Sequence, residues 1–273
     1  FMRCVRLFRL RQFQFIACAA LLLLRTGCID RLPLQPPPRG FDIGTAQQHF
    51  IKVGGRNVEL LSIRSPGAGT AEPKALILEY CGNATSAAYI IPYVVDRWRN
   101  YPVEVWAMSY PGFGNSQGKA RVDRIPPSVL ASYDEVARQA RGRPIIVEGA
   151  SFGAVSALYV ASHRAVAGLV LQNPPPLRLL ILGDYGWWNL WFLAIPVAIQ
   201  VPSGLVALQS APHCCAPAVF ISAADDKLVP AHYQQQVFYA YAGPRRLITV
   251  PGATHISPVT GASAIELDRD MKW

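Results

Sequence analysis

The chain has 273 residues, 51% of them hydrophobic and 16% charged, which suits one large α/β domain with a sizeable core and excludes a disordered chain. Its net charge of +9 is concentrated at the front, because residues 1–27 hold Arg3, Arg6, Arg9, Arg11 and Arg25 and no acid. The remainder carries 21 basic and 17 acidic residues, too mild an excess to argue for a nucleic-acid partner.

Four arginines precede an apolar run from Phe13 to Leu24. A bilayer-spanning helix needs roughly 20 apolar residues, so this run has the length of a signal-peptide core, and residues 1–27 are read as a targeting segment. Leu24-Arg25-Thr26-Gly27-Cys28 resembles the bacterial lipobox, with Arg25 as its departure from the motif. That resemblance implies export to the cell envelope or periplasm, lipidation at Cys28, and a membrane surface met through the N-terminal anchor. Residues 28–44 contain the proline-rich run Leu32 to Arg39 and read as a stiff tether ahead of a domain spanning 45–273.

From Thr45 the pattern alternates strands and helices. Gln48–Val53 and Asn57–Arg64 read as a hairpin about Gly54-Gly55. Lys74–Tyr80 is a continuous apolar strand, followed by a Gly82-Asn83 loop and a helix over about Ser86–Asn100. Val103–Tyr110 is a second buried strand, and Pro126–Arg141 a helix with prolines in its first turn, where missing donors do no harm. Pro144–Glu148 and Gly168–Gln172 are strands around a helix of small residues from Ala154. Strands Ala218–Ser222 and Arg245–Val250, the helix Ala231–Tyr241 and a last helix after Gly261 complete the series. Strands separated by helices imply a mostly parallel sheet covered on both faces.

Residues 173–215 break this rhythm. A crossover between parallel strands needs only about a dozen residues, so this stretch reads as an inserted lid. Its aromatic residues Trp187, Trp188, Trp191 and Phe192 are candidates for lining a substrate pocket. Ordinary core is one alternative. A membrane span from Trp187 to Leu208 is another, opposed by Pro196, Pro202 and the polar residues Asn189, Gln200 and Ser203. Among the cysteines, Cys81 falls at the top of one strand and Cys214-Cys215 at the bottom of another, so no structural disulfide is expected.

Gly149-Ala150-Ser151-Phe152-Gly153 stands between a strand and a helix. A G-x-S-x-G in that setting is a nucleophile elbow, a turn so sharp that the serine takes strained backbone angles while glycines avoid collisions on either side. A serine hydroxyl needs a base, and the base an orienting acid. Of the histidines downstream, only His255 lies in a loop after the final strand. Asp226, in the loop after the preceding strand, is the first candidate acid, with Asp225 the second. The oxyanion needs two preorganised N–H donors. One is the backbone N–H of Phe152; the other comes from the loop after Tyr80, with Asn83 preferred and Ala84 next.

Taken together, these segments resemble the α/β-hydrolase superfamily over essentially all of residues 45–273. Tyr110-Pro111-Gly112-Phe113-Gly114-Asn115-Ser116-Gln117-Gly118 is similar to the Y-R-G-[FY]-G-x-S-x-G segment of its serine aminopeptidase-like and esterase branches. Cys81-Gly82-Asn83-Ala84 is similar to their H-G-N-A oxyanion loop, Asp226…Val229-Pro230 to D-x-x-V-P, and Gly252…His255 to G-x-x-H. Cys81 in place of histidine and Pro111 in place of arginine are the departures. The resemblance implies an α/β-hydrolase fold, an eight-stranded type of mostly parallel sheet with helices on both faces and an inserted lid. It implies a serine hydrolase with Ser151, Asp226 and His255 as triad, acting on a small-molecule ester, thioester or amide, with no cofactor and no metal. An acyltransferase, or a binding lipoprotein that keeps the fold without turnover, are the alternatives.

Overall fold

The computed structural model of the protein describes residues 34–186 and 190–271. The segment read as a leader, and Cys28 with it, lies outside the described residues.

Eight strands form one sheet: β1 (Gln47–Val53), β2 (Arg56–Arg64), β3 (Ala75–Tyr80), β4 (Val103–Met108), β5 (Ile145–Ala150), β6 (Gly168–Gln172), β7 (Ala218–Ala223) and β8 (Arg245–Val250). Their spatial order is β1-β2-β4-β3-β5-β6-β7-β8. β2 runs antiparallel to β1 and to β4, while β4 through β8 are parallel. The sequence explains both directions. A two-residue Gly54-Gly55 turn, with φ of 54° and 76°, reverses the chain between β1 and β2. Later strands are joined by long crossovers, which return the chain to the same edge of the sheet and leave neighbours parallel.

The crossovers carry α1 (Ala87–Arg97), α2 (Ile125–Ala140), α3 (Phe152–Ala161) and α7 (Ala231–Ala240), and α8 (Gly261–Met271) follows the last strand. Between β6 and β7 lie three further helices, α4 (Leu177–Gly186), α5 (Leu190–Gln200) and α6 (Ala207–Ser210), and α4 packs on α5. α5 is only 11 residues long, and among the described residues no helix is long and apolar enough to cross a membrane.

Alternation along β3 divides the core. Leu76, Leu78 and Tyr80 point into one cluster with Val129 of α2 and Val155 of α3, whereas Ile77 joins a second with Ile91 of α1 and Leu267 of α8. Both faces are therefore covered, which is why the strands read as nearly continuous apolar runs. Leu34, in the segment read as a tether, is buried in the first cluster, and the backbone N–H of Gln35 donates to Oδ1 of Asn83 at 2.9 Å.

In this order β4 lies on one side of β3 and β5 on the other. Such a reversal opens a crevice at the carboxyl ends of β3 and β5, the usual place for a ligand in an open α/β sheet. The loops after β3 and β5 are the ones that carry Asn83 and Ser151.

Candidate active site

Ser151 joins β5 to α3 with φ of 55° and ψ of −118°, a conformation L-residues avoid. The surrounding packing imposes it. A Cβ on Gly153 would lie 1.9 Å from the carbonyl oxygen of Tyr80, and one on Gly149 would lie 2.4 Å from the carbonyl carbon of Gly153. Only glycine fits either place, so α3 can approach β3 and β5 closely enough to force the turn. The N–H of Ser151 donates to the carbonyl of Gln172 at 2.8 Å, tying the elbow to the end of β6.

As the first residue of α3, Phe152 directs its N–H out of the helix with no intrahelical acceptor, where the helix dipole adds partial positive charge. The loop after β3 packs beside it, since a Cβ on Gly82 would stand 3.4 Å from the carbonyl oxygen of Ala150. Asn83 folds its own side chain back, so that Oδ1 accepts from the N–H of Ala84 at 3.1 Å as well as from Gln35. Ala84, the second candidate donor, is thereby already engaged. Thr85 Oγ1 donates to the carbonyl of Gly82 at 2.9 Å and closes the turn. Cys81, where the resembling motif has histidine, is fully buried with its thiol 3.1 Å from the carbonyl oxygen of Met108. Burial, and next the nearby Glu79, push that thiol's pKa well above its ordinary value, so it stays a neutral donor to the backbone.

The candidate acid and base meet. His255 Nδ1 lies 2.7 Å from Oδ2 of Asp226, whose side chain is fully buried. Oδ1 of the same carboxylate accepts from the N–H groups of Leu228 and Val229, each at 2.9 Å, and Gln234 Nε2 reaches Oδ2 at 3.3 Å. Asp225, by contrast, is exposed, and its N–H donates to the carbonyl of Ala253. Of the two aspartates, Asp226 is the one hydrogen-bonded to His255. Ser151 and His255 are not hydrogen-bonded to each other; they are joined through β6, as Gln172 holds the serine's backbone and Asn173 Nδ2 donates to the carbonyl of His255 at 3.1 Å.

Around the elbow, Tyr110 donates or accepts with Ser156 of α3 at 2.8 Å and sets its ring edge-on to Phe152. The loop that follows it is organised by Glu59, a fully buried carboxylate of β2. Its two oxygens accept from Gln48, Ser109, and both the backbone and side chain of Asn115 at 2.7–3.0 Å. Sequence reasoning passed over Glu59, Gln234 and Asn173. The spacing carries no signal for Glu59 or Gln234, and Asn173 stood out only as the first residue of the stretch read as a lid.

Trp187 and Trp188 lie outside the described residues. Trp191 and Phe192 fall on α5, and their side chains lie outside the description as well. Among the described residues no group of three or more His, Cys, Asp or Glu side chains gathers as a metal site requires. Cys81, Cys214 and Cys215 are free thiols.

No protein-family model matches the chain. It is 25% identical over 234 residues to an uncharacterised protein of Mycobacterium tuberculosis, covering 85% of this chain and 78% of that one. Among solved structures, Est1E of Butyrivibrio proteoclasticus with ferulic acid bound superimposes with a TM-score of 0.64 at 16% identity, over 82% of this chain and 96% of that one. The esterase Pf2001 of Pyrococcus furiosus does so with a TM-score of 0.64 at 16% identity, over 88% and 97%. These likenesses show the fold: an eight-stranded, mostly parallel α/β-hydrolase sheet with helices on both faces.

Proposed function

We propose that the protein is a serine hydrolase of apolar esters. The observation that carries this reading is the pairing of a strained elbow serine with a partly buried histidine–aspartate hydrogen bond on the same edge of one sheet. An isolated Asp–His contact has many structural uses; one across the sheet edge from a residue held at φ 55° has few.

In this reading Ser151 Oγ attacks the substrate carbonyl carbon while Nε2 of His255 takes its proton. Asp226 holds the ring so that Nδ1 carries the other proton, and it stabilises the imidazolium as it forms. The developing oxyanion is received by the N–H groups of Phe152 and Asn83. Collapse expels the alcohol, protonated by His255, and leaves Ser151 acylated. Water activated by the same imidazole then releases the acid and restores the serine.

Exposed apolar side chains flank this machinery: Ile256 follows the base and is 89% exposed, and Leu228 stands two residues from the acid. They favour an apolar acyl or aryl group, and the helices α4 and α5 would close over it. Thioesters and amides fit the same chemistry. Export, with lipidation at Cys28 placing the domain at a membrane surface, completes the reading; it is tested by palmitate incorporation that is lost in Cys28→Ser.

Fluorophosphonate labelling of the wild type, absent in Ser151→Ala, is the decisive experiment. Hydrolysis of p-nitrophenyl esters of rising chain length would accompany it. A folded wild type that neither labels nor hydrolyses any ester sinks the proposal in favour of a binding role.

A further inference from the structure

β6 ends at Gln172, and the next residue turns the chain with φ of +48° while remaining 1% exposed. Asparagine is among the few side-chain-bearing residues that tolerate this region. Its three polar groups are then spent on two separate segments, β7 and the loop of His255. The N–H of Asn173 donates to the carbonyl of Ile221 at 2.8 Å, within β7. Oδ1 accepts from the N–H of Ala223 at 2.9 Å, where β7 runs out three residues before Asp226. Nδ2 donates to the carbonyl of His255 itself. The preceding carbonyl, that of Gln172, holds Ser151.

Two consecutive residues thus bond Ser151, the strand that leads to Asp226, and His255. No other standard residue meets all three demands. Glycine takes the φ but offers no side chain. Aspartate takes the φ and accepts from Ala223, but presents an oxygen to the carbonyl of His255. Glutamine is a methylene too long for the same two contacts from a buried turn.

Resting on the hydrolase reading, we propose that Asn173 is a positioning residue that fixes the main chain of His255 relative to Ser151. It never meets substrate. Its donor holds the base's carbonyl, its acceptor holds the acid's strand, and together they keep the imidazole aimed at the elbow. A displacement of about 1 Å at a reacting group can cost on the order of a hundredfold in rate.

The test compares wild type with Asn173→Gly and Asn173→Asp. Four quantities are measured: kcat and KM for p-nitrophenyl butyrate, the thermal midpoint, and the low-field proton resonance of the His255–Asp226 hydrogen bond, assigned by its absence in His255→Ala. Both variants are expected to lose about a hundredfold in kcat with KM changed less than about threefold. The low-field resonance should broaden or vanish in both while the protein remains folded. Folded variants that keep kcat within about threefold and retain the resonance unchanged overturn the proposal. Should the glycine variant not fold, Asn173→Asp decides, since it keeps the size, the backbone preference and the bond from Ala223. The resonance needs no turnover. If the wild type proves inactive, the hydrolase reading falls alone, and loss or persistence of that signal still judges the hold of Asn173 on His255.

Discussion

His255 and Asp226 stand 29 residues apart in the chain, yet Nδ1 of one lies 2.7 Å from Oδ2 of the other, with the remaining carboxylate oxygen saturated by two backbone N–H groups. Because those donors are backbone, the carboxylate has one orientation available, and the ring is held by its one remaining face. Asp226→Asn keeps the shape but offers an amide where the ring needs an acceptor. Its kcat/KM for p-nitrophenyl acetate should fall by about 10³–10⁴. Asp225→Asn, at an exposed side chain, should stay within about threefold. A reversal of the two results would move the acid role to Asp225.

Gly153→Ala should leave little folded protein. Its new methyl would sit 1.9 Å from the carbonyl oxygen of Tyr80, a backbone atom in the centre of the sheet that cannot step aside. A loss of about 3 kcal/mol or more is expected from such overpacking. Urea unfolding and soluble yield measure it, and a variant as stable as wild type would show that the elbow is looser than its geometry implies.

Much of this arrangement was legible in the chain. The apolar strands, the two-glycine hairpin and the G-x-S-x-G at a strand-to-helix junction announce themselves, because sheet burial and tight turns restrict residue type locally. Asp226 and His255 follow once strand order places their loops on one edge. Glu59 stayed hidden since its ligands Ser109 and Asn115 are 50 and 56 residues away and β2 alternates normally around it. Gln234 reads as an ordinary polar residue of α7; its burial against Asp226 comes from how α7 docks, which periodicity does not encode. The packing of Leu34 was equally invisible, as a proline-rich stretch gives no sign of one leucine finding a place in the core.

Glu79 and Glu148 are register partners on β3 and β5, both buried. Oε2 of Glu148 accepts from Arg97 at 3.3 Å and from Trp98 Nε1 at 3.2 Å; burial raises the pKa of Glu148, and those two partners oppose the rise. Burial first, and Glu148 second, raise the pKa of Glu79 well above the ordinary 4.5. With a raised pKa the folded chain holds a proton that the unfolded chain releases, so stability falls as pH climbs above about 4.5 toward the folded value. Glu79→Gln removes that titration. It should be more stable than wild type at pH 8, with the advantage shrinking at pH 4. Urea midpoints at the two pH values measure this; equal shifts at both would refute it.

Ile256→Asp places a charge beside the base at a position 89% exposed, where it costs the fold little. Its effect should grow with the acyl chain. Hydrolysis of p-nitrophenyl acetate is expected within about threefold of wild type, and of the octanoate lower by about tenfold, as several buried methylenes lose an apolar neighbour. A uniform loss across chain lengths would place Ile256 outside the substrate's path.

The thiol of Cys81 should resist alkylation in the native protein. It is fully buried, its pKa is raised by that burial, and its proton is committed to Met108. Cys215 is exposed. Iodoacetamide followed by peptide mass mapping should mark Cys215 within minutes and Cys81 only after denaturation. Early modification of Cys81 would mean that the loop after β3 opens readily.

Leu34 in the core and Gln35 on Asn83 fix where anything preceding them emerges: at the rim of the loop that would receive the oxyanion. α8 leaves from the other side, since Tyr101, just ahead of β4, donates to Asp268 near its end. A purification handle or surface-immobilisation linker fused upstream of residue 34 would therefore crowd the mouth, and one joined beyond Met271 would hang from the opposite edge and leave it clear.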